Sequence, residues 1–246
     1  MRRTPWFRHW FGDEYLALYP HRDTREARDA VELLRAAGGD ELGERVLDLA
    51  CGGGRHLAEL VGHGFRSTGL DLSLPLLGAA REAAPEAFLV RGDMRILPFD
   101  SGAFDVVTSF FTSFAYFEDE YDDQRVLREV RRVLVGGGTF LLDFLNAHAV
   151  RENLKAEDRR MVGDVEVRQQ RRLVADGRIV EKRITIAATA ERPARAFVER
   201  VRLYEPRELD RMLMLARLEP GQRFGSYEQT AFEGSAPRYI VMGRAF

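Results

Sequence analysis

The chain has one cysteine, Cys51, only two lysines, Lys155 and Lys182, and no long apolar run. A single cysteine excludes an internal disulfide. With no His–Cys pair or ligand-type spacing around it, Cys51 reads as an inert small residue and no metal is expected. The lack of a long apolar stretch argues against a signal peptide or a membrane span, so the expected location is cytoplasmic. Charge of one sign is also missing. The chain has 37 Lys and Arg against 39 Asp and Glu, a formal net charge of −2, which gives no general pull toward nucleic acid or an acidic membrane. Arginine stands in for lysine almost everywhere, alongside abundant Ala and Gly. Arginine clusters therefore reflect composition before they reflect recognition. Repeats and low-complexity segments are absent, and 246 residues, 45% apolar, suit one domain with its own core.

What is present is organised around residues 45–56. Val46 to Ala50 form an apolar run that ends in Gly52-Gly53-Gly54, and Leu57, Leu60 and Val61 then follow at helical spacing. This predicts strand, tight turn and helix. Glycines there admit a ligand close to the backbone, and the first helical turn presents free N–H groups to a negative group. A second strand, near 65–70, ends in Asp71. That is about twenty residues beyond the first glycine, where an acid can accept the hydroxyls of a ribose. A dinucleotide fingerprint needs a third glycine at position 57, which is Leu57, so a nicotinamide-dependent oxidoreductase is the weaker reading.

The segment Val46-Leu47-Asp48-Leu49-Ala50-Cys51-Gly52-Gly53-Gly54 instead resembles the first motif of the class I S-adenosylmethionine-dependent methyltransferases. Gly69-Leu70-Asp71-Leu72-Ser73, Gly92-Asp93-Met94, Phe104-Asp105-Val106-Val107 and Leu134-Val135-Gly136-Gly137-Gly138-Thr139-Phe140 continue that resemblance in order. It implies S-adenosyl-L-methionine as cofactor. It also implies contacts from Asp48, Ala50, Cys51, Gly52, Gly54, Arg55, Asp71, Leu72, Asp93, Met94, Phe110 and Phe111. In that scheme Asp71 takes the ribose hydroxyls, Asp93 and the Met94 N–H meet the adenine, and Arg55 is a candidate for the ligand carboxylate.

From Arg45 to about 145 the pattern alternates strand and helix, with strands near 46–50, 66–70, 87–91, 105–110 and 139–145. Helices are expected near 55–62, 74–83 and 122–134. The expected fold is α/β, a Rossmann-like, mostly parallel sheet with helices on both faces. Its ligand site lies beyond the strand ends, among 51–56, 71–73, 92–95 and 110–117. Residues 1–38 form an N-terminal helical lid: an aromatic helix over 6–19, then a helix that Asp23 and Glu26 cap and Gly38 ends. The core spans 45–147. An antiparallel β-meander insertion covers 160–203, with Asp176-Gly177 as a hairpin turn and three strands. A helix opened by Pro206 and a closing strand pair complete 204–246.

Methyl transfer by in-line displacement relies on positioning, so no dedicated catalytic residue is required. If the acceptor must lose a proton, Tyr15, Tyr19, His21 and Tyr116 are candidates, and Arg22 and Asn146 are further candidates for substrate contact. The expected function is methyl transfer to the N, O or C nucleophile of a small molecule. A silent cofactor-binding module and a nucleic-acid methyltransferase are the alternatives. Residues 151–203 carry 14 Lys and Arg against 9 Asp and Glu. Interleaved acids make this a solvated meander that walls an acceptor pocket or forms a homodimer contact, rather than a nucleic-acid face.

Overall fold

The computed structural model describes residues 5–19, 24–190 and 192–246. The N-terminus forms two short helices, α1 (Phe7–Trp10) and α2 (Asp13–Leu18), where the aromatic spacing predicted one. Gly12 separates them in extended backbone, and Asp13 and Glu14 then place negative charge at the start of α2, where the helix dipole favours it. α3 (Thr24–Gly38) buries Ala27, Val31 and Leu34 as its stripe predicts; Asp23, the other half of the expected capping box, lies outside the described residues.

The predicted alternation follows as β1 (Arg45–Leu49), α4 (Arg55–Gly62), β2 (Arg66–Asp71), α5 (Leu74–Ala83), β3 (Phe88–Arg91), β4 (Phe104–Ser109), α6 (Glu120–Val133) and β5 (Leu134–Leu145). β5 starts earlier than expected. Leu134 already pairs with Phe104, and the three glycines form an irregular stretch before Thr139 pairs with Val106. The remaining elements are α7 (Ala147–Asn153), β6 (Glu157–Val162), β7 (Val165–Val174), β8 (Ile179–Ile186), β9 (Arg195–Arg202), α8 (Pro206–Leu215), β10 (Leu218–Phe224) and β11 (Arg238–Ala245).

One sheet has the order β10-β11-β5-β4-β1-β2-β3. β1 to β5 are parallel, and β11 joins β5, and β10 joins β11, in antiparallel fashion. Strand alternation sends Val46, Val106, Leu141 and Ile240 to one face, against Val31 and Leu34 of α3. Leu47, Val107, Phe140 and Val241 go to the other, against Val126 and Val130 of α6 and Leu209 and Leu213 of α8. Both faces are covered. The strand order reverses between β1 and β4, so their carboxyl ends open a crevice there.

The insertion is a separate sheet of four strands, β6-β7-β8-β9, not three. β6 escaped sequence reading because Glu157-Asp158-Arg159-Arg160-Met161-Val162 has no apolar alternation; its Met161 is exposed. The β7–β8 turn takes residues 175–178, with Ala175, Asp176 and Gly177 all at positive φ, rather than the two residues expected. The inner face of this sheet packs on the N-terminal helices, where Trp10 and Leu18 lie against Val167, Ile184 and Ile186. Together they form a cap with its own small core.

Candidate functional site

The turn after β1 is a cradle in left-handed backbone: Ala50 has φ 59°, Gly52 56° and Gly54 84°. At Gly54 a Cβ would stand 2.8 Å from the Cα of Ala80 on α5. Only glycine allows that approach. Gly54 is thus required for the packing of α4 on α5 and lies between Gly53 and Arg55 of the cavity wall. Asp71, at the end of β2, accepts from the Gly52 N–H at 3.0 Å and the Ser73 N–H at 2.8 Å. Burial pushes its carboxyl up from the ordinary value, and these backbone donors hold it back. The Leu72 N–H is a third backbone donor, and the carboxylate lies on the cavity wall.

Asp48, one turn of the pleat before the cradle, is 1% exposed and accepts from Thr108 Oγ1 at 3.2 Å through Oδ1. Its Oδ2 has no hydrogen-bond partner among the described residues. Burial raises its pKa to about 7, against the hydrogen bond from Thr108. An uncompensated carboxylate oxygen on a cavity wall is a socket for a cation or a strong donor. Cys51 is buried, and burial pushes its thiol up, so it stays a neutral thiol beside Gly69.

Asp93 is held by its neighbour Arg95, whose guanidinium meets both carboxylate oxygens at 3.0 and 2.7 Å. Burial alone would raise its pKa; the Arg95 hydrogen bonds outweigh that and hold the carboxyl below its usual range. Arg55 is engaged with Glu26 of α3 at 2.7 Å and lies 4.5 Å from the centre of the Phe111 ring. A ligand carboxylate there would compete with Glu26. Leu72, Met94, Phe110 and Phe111 all lie on the cavity wall.

The loop after β4 is strained, with Phe111, Thr112 and Ala115 at φ 56°, 62° and 65°. A β-branched residue such as Thr112 rarely adopts that region, and the surroundings must impose it. They do. Buried Asp143 on β5 accepts from the Phe111 N–H at 2.6 Å through its side chain and from the Thr112 N–H at 3.0 Å through its carbonyl. Arg238 on β11 pairs with Asp143, donates to Thr112 Oγ1 at 3.0 Å, and lines the cavity. Tyr227 also donates to Asp143. Sequence reading missed Asp143 and Arg238 because 95 residues separate them and neither sits in a recognisable motif. It missed His56 too, a cavity residue stacked on Phe110 with ring centres 4.5 Å apart.

One continuous cavity of about 970 Å³ runs from this cradle to the cap. Tyr15, Tyr19 and Tyr116 lie on its wall, as do Trp6, Phe7 and Phe11. Trp10 is fully buried in the cap instead. Arg22 and His21 lie outside the described residues. Asn146 lies off the cavity: its amide donates to the carbonyls of Gly234 and Ala236 at 2.9 and 2.6 Å, and its oxygen caps α7 through the His148 N–H. Among the described residues, no helix is long and apolar enough to cross a membrane.

A family profile described as "Methyltransferase domain" matches residues 46–138. Residues 46–138 thus form a methyltransferase domain of the class I S-adenosylmethionine-dependent type. An uncharacterized methyltransferase of Synechocystis is 42% identical over 101 residues, 41% of this chain and 46% of that protein. The dTDP-4-amino-2,3,4,6-tetradeoxy-D-glucose N,N-dimethyltransferase of Saccharopolyspora spinosa is 34% identical over 119 residues, 48% of this chain and 46% of that protein. The chain thus matches about half the length of these curated relatives. The CcbJ methyltransferase of Streptomyces caelestis shares the fold end to end, with a TM-score of 0.81 at 23% identity over 96% of this chain and 98% of that one. The shared sequence is that of the methyltransferase domain, while the cap is similar at the level of fold.

Proposed function

We propose that this chain binds S-adenosylmethionine in the cradle and transfers its methyl group to a small molecule held under the cap. The observation that carries the reading is the continuity of one cavity between two walls of different origin, the methyltransferase cradle and the cap. A drug-sized ligand fills about 300–1,000 Å³. At about 970 Å³ the cavity has room for a cofactor and a modest acceptor.

The residues present fit that cofactor. Asp71 presents a carboxylate to ribose hydroxyls, and the orphaned Oδ2 of buried Asp48 suits the ammonium of an amino acid. A nicotinamide dinucleotide fits less well, because Leu57 fills the third glycine position and is fully buried against Ala84 and Ala87. When bound, the cofactor supplies an electrophilic methyl group on a sulfonium.

The chain's part is positioning and shielding. Asp48 and Asp71 fix the two polar ends of the ligand, and the Phe111 ring, itself contacted by the Arg55 and Arg238 guanidiniums, walls the cavity beside them. The cap excludes water, and the Tyr15, Tyr19 and Tyr116 hydroxyls on its wall can accept hydrogen bonds from the acceptor. The Saccharopolyspora relative methylates nitrogen on a sugar nucleotide, which supports a small acceptor for this chain as well.

The test is incubation of the protein with methyl-labelled S-adenosylmethionine and a metabolite extract, beside calorimetry with S-adenosylhomocysteine and NAD. Label transferred to a small molecule only when protein is present is the expected result. Tight cofactor binding without transfer would point to a silent module, and binding of NAD alone to an oxidoreductase.

A further inference from the structure

The inner face of the cap sheet is mixed: beside Val167, Ile184, Ile186 and Phe197 it carries Arg160, Gln169 and Arg195. Register puts Val167 opposite Ile186, and Ile184 opposite Phe197, in the core beneath Trp10. Two residues further along, Arg171, Lys182 and Glu199 stand directly opposite one another on β7, β8 and β9. One level beyond, Leu173, Val180 and Val201 are all apolar. Arg171, Lys182 and Glu199 all line the cavity, as do Val180 and Val201. Asp158 of β6 closes the charged row on one side, 2.5 Å from Arg171; Glu199 pairs with Lys182 on the other and accepts from the Trp10 indole. Directly opposite one another the order is cation, cation, acid, and Asp158, level with Gln169, reaches Arg171 from the neighbouring level.

That order is costly for a wall whose only task is packing. Like charges directly opposite each other on antiparallel strands repel. The Arg171 and Lys182 side chains are only 23% and 18% exposed, where solvent screens them less than at an open surface. Apolar residues there would continue the level of Leu173, Val180 and Val201. The flanking acids neutralise the row as a whole while leaving its two cations adjacent. Donors also remain. Lys182 gives to Glu199 and, at 3.5 Å, to the Tyr19 hydroxyl. Arg171 gives to Asp158, the Lys155 carbonyl and Gln169 Oε1. Neither set exhausts the N–H groups of an ammonium or a guanidinium.

We propose that Arg171 and Lys182 form an anion subsite in the acceptor half of the cavity, and that the acceptor is a small molecule bearing a carboxylate or a phosphate. An anion between them removes their mutual repulsion and is recognised by charge-assisted hydrogen bonds. The neighbouring Val180 and Val201 then cover an apolar part of the same molecule. The subsite sets specificity and takes no part in the chemistry, and it rests on the methyltransferase reading above.

The experiment uses the full chain saturated with S-adenosylhomocysteine in chloride buffer. Calorimetry measures binding of inorganic phosphate, pyrophosphate, benzoate and, as a neutral control, benzyl alcohol. Saturable binding of an anion and none of the control is expected, and whether the phosphates or benzoate bind tighter identifies the source. Lys182→Met and Arg171→Gln should each weaken that binding about tenfold or more, the scale of one lost charge-assisted hydrogen bond, and leave S-adenosylhomocysteine affinity unchanged. Lys182→Arg should restore most of it. Glu199→Gln should tighten anion binding, because it removes a competing acid, an effect that a structural role for the row does not produce. No anion binding in the wild type, or equal binding in the charge-removing variants, overturns the proposal. Loss of S-adenosylhomocysteine binding in the wild type would instead overturn the reading on which it rests.

Discussion

Asp48 offers a test in which stability and ligand affinity move in opposite directions. The side chain is 1% exposed, has one hydrogen-bond donor in Thr108, and titrates at about 7 against an ordinary 3.8. Its raised pKa means that the folded state favours the protonated acid. The stability this supplies is fully present below the unfolded pKa and is lost as pH rises through about 7. At about 1.36 kcal/mol per pH unit, holding Asp48 ionised above pH 7 costs the ligand-free fold at most about 4 kcal/mol. Relaxation and cavity water reduce this, and about 1–2 kcal/mol is the expected effect. Asp48→Asn keeps the Thr108 hydrogen bond and removes the charge. In urea denaturation of the ligand-free protein, the stability of the variant relative to wild type should therefore rise between about pH 5 and pH 8.5. The difference between the two proteins is the quantity to follow, since buried Asp123 also titrates at about 7 and affects both alike. S-Adenosylhomocysteine affinity at pH 8.5 should fall by about 1.5–3 kcal/mol, the contribution of a hydrogen bond to a charged group. A difference that stays flat with pH, or a variant that binds as tightly as wild type, refutes the assignment of Asp48 as a charged socket.

Asp71→Ala should lose about 1.5–3 kcal/mol of S-adenosylmethionine affinity in a folded protein, read by calorimetry, and unchanged affinity would sink its ribose role. Trp10→Ala should destabilise the cap by about 3–5 kcal/mol, because a fully buried indole leaves both a cavity and an unpaired Glu199 oxygen. Hydrogen exchange should then rise in β7 to β9 and α1 while β1, β4 and β5 stay protected; uniform loss of protection would mean that the cap and the core unfold as one. Removal of residues 1–20 should reproduce that pattern and abolish transfer while the seven-stranded sheet persists, and a truncated protein with full turnover would refute the lid. Binding to RNA or DNA should be weak and disappear at roughly 200 mM salt, because counterion release makes phosphate binding steeply salt-dependent; complexes that survive that salt would reopen the nucleic-acid reading.

The core was legible because its rules are local. The apolar runs at 46–50 and 105–110, the helical spacing after Gly54 and the acid of Asp71 each declare themselves within about twenty residues, and the switch point between β1 and β4 follows from the order of strands. Gly54 shows the limit of that logic. Its place in the glycine turn suggested a ligand contact, yet the close approach of Ala80, 26 residues away, is what requires glycine there. The partners of Asn146 are more remote still, because the carbonyls that its amide meets come from residues 234 and 236.

The cap was hidden for a different reason. Its strands are half polar on both faces, and period-two alternation indicates which positions share a face but not which face is inward. β8 illustrates the ambiguity: Val180, Lys182, Ile184 and Ile186 form one face, and a lysine in that series looks like an interruption of the pattern. Pairing resolves it. Once β7 and β9 are laid beside β8, Lys182 falls level with Arg171 and Glu199, and the same break occurs on three strands at one height. Three charged residues level on adjacent strands, all on the cavity wall, mark a place where the wall meets something other than its own core. The proposed acceptor half is therefore encoded in register, which three strands separated by hairpins specify only when folded, while the cradle is encoded in contiguous motifs that a single strand and its turn can carry.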